Sequence, residues 1–183
     1  IREQPISVNH GPSIHDCAIT ENYVLIFDLP VTFSMKSLLK GYSFPYRWNP
    51  NHAARIGLLP RRGANADVIW IAVEPCYVFH TANAYETADG MVIADVVAHE
   101  TMFAASSRGP DSDISALERW TIDPVGRRTQ RQRLHAKPQE FPRYDERRIT
   151  RPYRYIYSVA VAASSQPEMA VDDTRLYRFD LAQ

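Results

Sequence analysis

The chain has no surplus of charge of either sign. Lysine plus arginine number 21 and aspartate plus glutamate 21, so the formal net charge is zero. Nucleic-acid binding rests on an excess of Lys and Arg gathered on one face, so no nucleic-acid partner is expected. The local cluster Arg127, Arg128, Arg131 and Arg133 reads as a solvated strand or turn surface. Cysteine is scarce. Cys17 and Cys76 are the only two, and they form neither a CxxC pair nor a disulfide framework. A reducing, cytoplasmic setting is the expectation. No stretch approaches the ~18 consecutive apolar residues of a transmembrane helix. The opening Ile1-Arg2-Glu3-Gln4-Pro5 has no apolar core of a signal peptide and no initiating Met. The chain is expected to start after processing or trimming, or inside a larger reading frame. HExxH and zinc-finger spacings are missing. No pair of carboxylates stands out for glycoside chemistry. Helical periodicity is scarce too.

What remains is strand-like. A chain of 183 residues fits one domain and is long enough to bury a core. Alternating or continuous strand-like runs recur at Tyr23–Leu29, Ala54–Leu59, Val68–Val73, Tyr77–Tyr85, Met91–Ala98, Leu117–Asp123, Tyr153–Val161 and Thr174–Leu181, with Thr129–His135 as the return strand of a hairpin. Ala88-Asp89-Gly90 and Pro124-Val125-Gly126 read as turns. Short strands spaced by Gly, Pro, Asn and Asp predict an all-β sandwich, barrel or propeller. Only Ser34–Lys40 is locally helical, with Gly41 as its cap. Ser106–Asp113 and Ser164–Asp173 are polar loops, and Asp145-Glu146-Arg147-Arg148 is a solvated mixed-charge loop. The strand at Thr174–Leu181 needs a neighbour on its far side or becomes an exposed edge. With so abrupt a beginning and end, the chain is expected to be a section of a larger all-β protein.

There are six histidines, each read singly as a surface or hydrogen-bonded side chain before a ligand. Two settings differ. His80 follows Cys76-Tyr77-Val78-Phe79, and an imidazole among buried neighbours needs a carboxylate, a carbonyl or a metal as partner. His15 lies just ahead of a strand, where loops carry function. All-histidine ligation suits Fe(II), Zn or Cu, but two imidazoles are too few for a tight site.

Several motifs then occur in order: His15-Asp16-Cys17-Ala18-Ile19-Thr20-Glu21-Asn22-Tyr23 running into Phe27-Asp28-Leu29-Pro30-Val31; Arg55-Ile56-Gly57-Leu58-Leu59-Pro60-Arg61; Phe79-His80 with Asn83-Ala84-Tyr85-Glu86; Arg119-Trp120-Thr121-Ile122-Asp123; Pro138-Gln139-Glu140-Phe141-Pro142-Arg143; and Arg151-Pro152-Tyr153-Arg154-Tyr155. Together they resemble the carotenoid cleavage oxygenase family, which includes the lignostilbene dioxygenases and the retinal-pigment-epithelium retinoid isomerase. The resemblance covers nearly the whole chain. It implies an antiparallel seven-bladed β-propeller with short helical insertions, of which residues 1–183 would be a part, with N- and C-terminal blades missing. It implies one Fe(II) held by four histidines, with glutamates behind their rings, and O2 as the co-substrate. The reaction implied is cleavage of a carbon–carbon double bond in a lipophilic polyene or stilbene, giving two carbonyl products.

Carried over residue by residue, the resemblance makes His15 and His80 metal ligands. Glu140 becomes a glutamate behind a ligand ring, expected to pair with His80 rather than His15. The first and fourth ligands would lie upstream of Ile1 and downstream of Gln183. His10, His52, His99 and His135 match no ligand context. Phe79 is either a wall of a substrate tunnel or ordinary core; on an ideal strand it faces away from His80. Asn83 and Glu86 either brace the strand end, the favoured reading, or bond to water near the site. Leu38 and Leu39, in a segment that also carries Lys36 and Lys40, offer either a peripheral membrane contact or a short helix packed on a blade. The leading expectation is a section of an Fe(II) dioxygenase, inactive on its own. The alternative is a non-catalytic β-propeller remnant acting as a lipid-binding or interaction module.

Overall fold

A computed structural model describes residues 2–105, 115–161 and 175–182. In chain order the elements are β1 (Cys17–Ile19), β2 (Tyr23–Asp28), β3 (Val31–Phe33), α1 (Met35–Leu39), β4 (Tyr46–Trp48), β5 (Arg55–Pro60), β6 (Ile69–Ala72), β7 (Tyr77–Glu86), β8 (Val92–His99), β9 (Ser115–Asp123), β10 (Arg128–His135), β11 (Gln139–Arg143), β12 (Tyr155–Ala160) and β13 (Leu176–Asp180). Two single 3-10 turns, Asn65–Asp67 and Glu146–Arg148, complete the set. The loops read at Ser106–Asp113 and Ser164–Asp173 lie outside the described residues.

The strands form three main antiparallel sheets, ordered β1-β2-β5-β6, β10-β9-β8-β7 and β11-β12-β13, and a small ribbon of β3 with β4. Among the described residues, the all-β, antiparallel architecture with one brief helix is therefore present. Local chemistry explains the turns. The Asp123 carboxylate accepts the Val125 and Gly126 backbone N–H groups at 3.0 and 2.7 Å, closing the hairpin between β9 and β10. Gly90 at φ +84° turns β7 into β8, a conformation cheap only without a Cβ. Ser34 caps α1 by accepting from Ser37 N–H, and Gly41, at φ +79°, ends it with a bond to the Leu38 carbonyl.

Packing follows chain order. Leu25, Ile56, Leu58 and Ile71 of the first sheet meet Val92, Ala94, Val96, Trp120 and Ile122 of the second in one apolar layer. Strand β8 is buried along its whole length, which explains its near-continuous apolar sequence. A smaller layer of Ala82, Leu117 and Ile156, with Leu134, Tyr153 and Phe179, joins the second sheet to the third. A polar brace crosses the same seam. Asp95 on β8 is fully buried, is gripped by Arg119 through two bonds of 2.8 and 2.9 Å, and accepts the Tyr153 hydroxyl at 2.7 Å. Burial and the adjacent Asp95 carboxylate push the Tyr153 hydroxyl pKa far up, so it stays a donor.

Candidate metal centre

His15 precedes β1 and is held against β7 by its neighbour. The Asp16 carboxylate accepts the backbone N–H and the hydroxyl of Thr81 at 2.9 and 3.0 Å, and also the Cys17 N–H at 2.8 Å. Thr81 follows His80, so this clamp joins the two histidine segments directly. Strand β7 is irregular here: its register against β8 shifts between Val78 and Thr81 and again between Thr81 and Asn83. The irregularity overrides ideal alternation. Phe79 and His80 both border His15, with ring centroids 5.2 and 5.0 Å away and planes at 90° and 83°. On an ideal strand Phe79 would face away from His80; with this irregularity both rings border His15. Its ring is buried and also meets Tyr77, His99 and Phe103 edge-on.

The hydrogen bonds fix which ring nitrogens are occupied. His15 Nδ1 lies 3.0 Å from the Phe79 carbonyl oxygen, which only accepts, so Nδ1 carries the proton. His80 Nδ1 lies 2.9 Å from Glu140 Oε2 and donates to it in the same way. In its neutral form each ring then keeps a bare lone pair on Nε2. Among the described residues, neither Nε2 takes a hydrogen bond. The expected pairing of Glu140 with His80 is present.

Glu140 sits on β11, whose register against β12 shifts just after it. It is fully buried and accepts three donors: His80 Nδ1, His99 Nε2 at 2.5 Å and the Phe141 N–H at 3.0 Å. Burial alone would raise its pKa; the bonds from His80, His99 and Phe141 outweigh it and hold the carboxyl below its ordinary value. Phe141 adopts φ +55°, a left-handed conformation rare for a bulky residue, and its half-exposed ring lies 4.9 Å from the His80 ring. The strain is localised where a side chain is re-aimed onto the site.

His99 was not singled out by its sequence context, although the reasoning used for His80 applies to it: Val96-Val97-Ala98-His99 also sets an imidazole among buried apolar residues. His10 and His52 form a separate network. Their Nδ1 atoms are 3.1 Å apart, His52 Nε2 is 2.7 Å from Asp28, and Arg55 holds the other Asp28 oxygen at 2.7 Å. His135 packs on Tyr177 and Phe179. Asn83 and Glu86 brace as expected. Asn83 bonds the Arg148 and Arg151 carbonyls and the Thr150 N–H; Glu86 accepts from the Thr20 hydroxyl, the Asn22 N–H and the Asn22 amide. Leu38 and Leu39 are exposed, at 46% and 81%, with Met35 and Phe44 exposed beside them in sequence.

Two imidazoles with unengaged Nε2 atoms, both anchored through Nδ1 and one backed by a carboxylate, fit as a donor pair for a first-row transition metal. Among the described residues no group of three or more His, Cys, Asp or Glu side chains gathers into a complete metal shell. The residues fit a share of such a shell.

The retinal pigment epithelial membrane protein family model matches residues 1–183. A carotenoid cleavage oxygenase of Mycobacterium tuberculosis is 34% identical over 87% of this chain and 40% of its own length. The crystal structure of a Pseudomonas brassicacearum lignostilbene dioxygenase superposes with a TM-score of 0.75 at 28% identity, over 88% of this chain and 35% of that one. A cobalt-substituted Synechocystis apocarotenoid oxygenase gives 0.73 at 26% identity, over 93% and 38%. The chain thus spans less than half the length of each. With its ordered motifs, its antiparallel sheets and this match from end to end, the chain belongs to the retinal pigment epithelial membrane protein family, that of the carotenoid cleavage oxygenases.

Proposed function

We propose that the protein carrying this chain is a non-haem Fe(II) dioxygenase that cleaves a carbon–carbon double bond of a carotenoid, apocarotenoid or stilbene-like alkene. The observation that carries the reading is the pair His15 and His80, 5.0 Å apart between ring centroids, each with Nδ1 engaged and Nε2 free. The cobalt substitution of the Synechocystis relative supports a divalent metal in this family. His15 and His80 would supply two of four imidazoles, the others coming from residues outside this chain on a seven-bladed propeller. Bound there, Fe(II) supplies activation of O2 for cleavage of the alkene to two carbonyl products.

The chain's own residues do the preparatory work. The Phe79 carbonyl and Glu140 hold the protons on Nδ1 and so aim both Nε2 lone pairs. Phe79 and Phe141 line the rings with apolar surface that suits a conjugated substrate. The exposed Leu38 and Leu39 offer a peripheral membrane contact from which a lipophilic substrate would be drawn. A cytoplasmic setting is part of the same proposal, and the 183-residue chain alone is proposed to be inactive.

The test uses the intact protein. His15→Ala and His80→Ala should each abolish iron retention and alkene cleavage, measured by metal analysis after gel filtration and by carbonyl product formation. A fully active, iron-loaded His80→Ala protein would sink the reading.

A further inference from the structure

We infer that His99 is a positioning residue of the metal centre, holding the Glu140 carboxylate where it serves His80. The inference rests on the reading of His80 as a ligand. Among the described residues, Glu140 Oε2 receives both His80 and the Phe141 N–H, whereas Oε1 receives His99 alone. Glu140 and His99 are 0% and 1% exposed, so water does not replace that bond. The last torsion of a glutamate is broad and soft. A donor on Oε1 is what stops the carboxylate from turning away from the His80 ring.

A second observation singles out the position. Among the described residues, His99 Nδ1 is buried without a hydrogen-bond partner. Nε2–H donates to the carboxylate, and in the neutral ring Nδ1 is then a bare acceptor among buried atoms. A buried unpaired polar atom costs free energy. A leucine or phenylalanine would fill the same place, beside the Phe79 ring at 5.4 Å, without that cost. The bond from Nε2 to Glu140 is the compensation, and it links a strand of the second sheet to a carboxylate of the third behind the His80 ring.

Co(II) titration of the intact protein, in competition with a chelator, tests this. His99→Phe keeps a ring against Phe79 and removes the donor. His99→Gln sets an amide N–H near the place of Nε2–H. The expected result is Co(II) binding about 10–100-fold weaker in His99→Phe and near wild type in His99→Gln. His99→Phe should add little once Glu140→Gln is present, because both act through one bond. Unchanged binding in His99→Phe overturns the inference. So does a His99→Gln protein as weak as His99→Phe, or full additivity with Glu140→Gln; either makes the role one of packing. If circular dichroism shows His99→Phe unfolded, His99→Leu carries the same arm, and if both unfold, wild-type binding by His99→Gln supports the inference and weakened binding overturns it. His80→Ala run in parallel separates the two readings. Retained Co(II) affinity there defeats the ligand assignment, whereas lost affinity beside an unaffected His99→Phe defeats only the role of His99.

Discussion

At the scale of single residues, the centre is a matter of which nitrogen holds a proton. Glu140→Gln makes the point. The side chain keeps its shape, but one of its two oxygens becomes an amide N–H, and Glu140 now meets an N–H from His80 on one side and from His99 on the other. The amide N–H is accommodated only where the His99 proton moves to its unpartnered Nδ1, and the His80 ring loses its anionic partner. Metal affinity of the intact protein should fall by about 10–100-fold, read by chelator competition, with the fold intact. The residues themselves were legible to different degrees. His15, His80 and Glu140 stand in motifs, and the structure brings them together. His99 stands in none. Its part depends on a contact 41 residues away, and no spacing rule connects a strand end to a bulge in another sheet.

Elements carry the second level. The long apolar strands were readable because continuous burial and β-rich composition coincide, as in β2 and β8. The three-residue strands β1, β3 and β4 were not, since so short a stretch has no period to read. Strand β11 hid because Pro142 lies within it and its register breaks. Helix α1 was legible from Ser34 to Gly41, yet only Ser37 in it is buried. Its Leu38 and Leu39 therefore contribute little to the core, and Leu38→Asp with Leu39→Asp should leave the melting temperature nearly unchanged. Sedimentation with anionic liposomes should lose the intact double variant if the helix touches membrane; equal sedimentation removes that contact. The turn between β1 and β2 gives a pH dependence. Burial raises the Glu86 pKa, but the bonds from Thr20 and Asn22 outweigh it and hold it below its ordinary value. A lowered folded-state pKa means stabilisation fully present above the unfolded value of about 4.3 and lost as pH falls through the folded value. Glu86→Gln should thus lower the melting temperature at pH 7, with the difference shrinking toward pH 3.

For the whole molecule, the seams between sheets matter more than the sheets. The hydrophobic layers were foreseeable in kind, but the brace of Asp95, Arg119 and Tyr153 joins residues up to 58 apart and came from no local signal. Tyr153→Phe removes the hydroxyl from a buried carboxylate. The expected loss is about 1.5–3 kcal/mol, measured as a lower denaturant midpoint. The three groups of the centre come from three different places: His15 ahead of the first sheet, His80 in the second, Glu140 in the third. No sheet owns the site. An ion shared by His15 and His80 would act as a rivet between sheets, and by mass action its occupancy would resist their separation. Substitutions that loosen the seam between the first two sheets should therefore register first as leakage of metal, before any strand is lost.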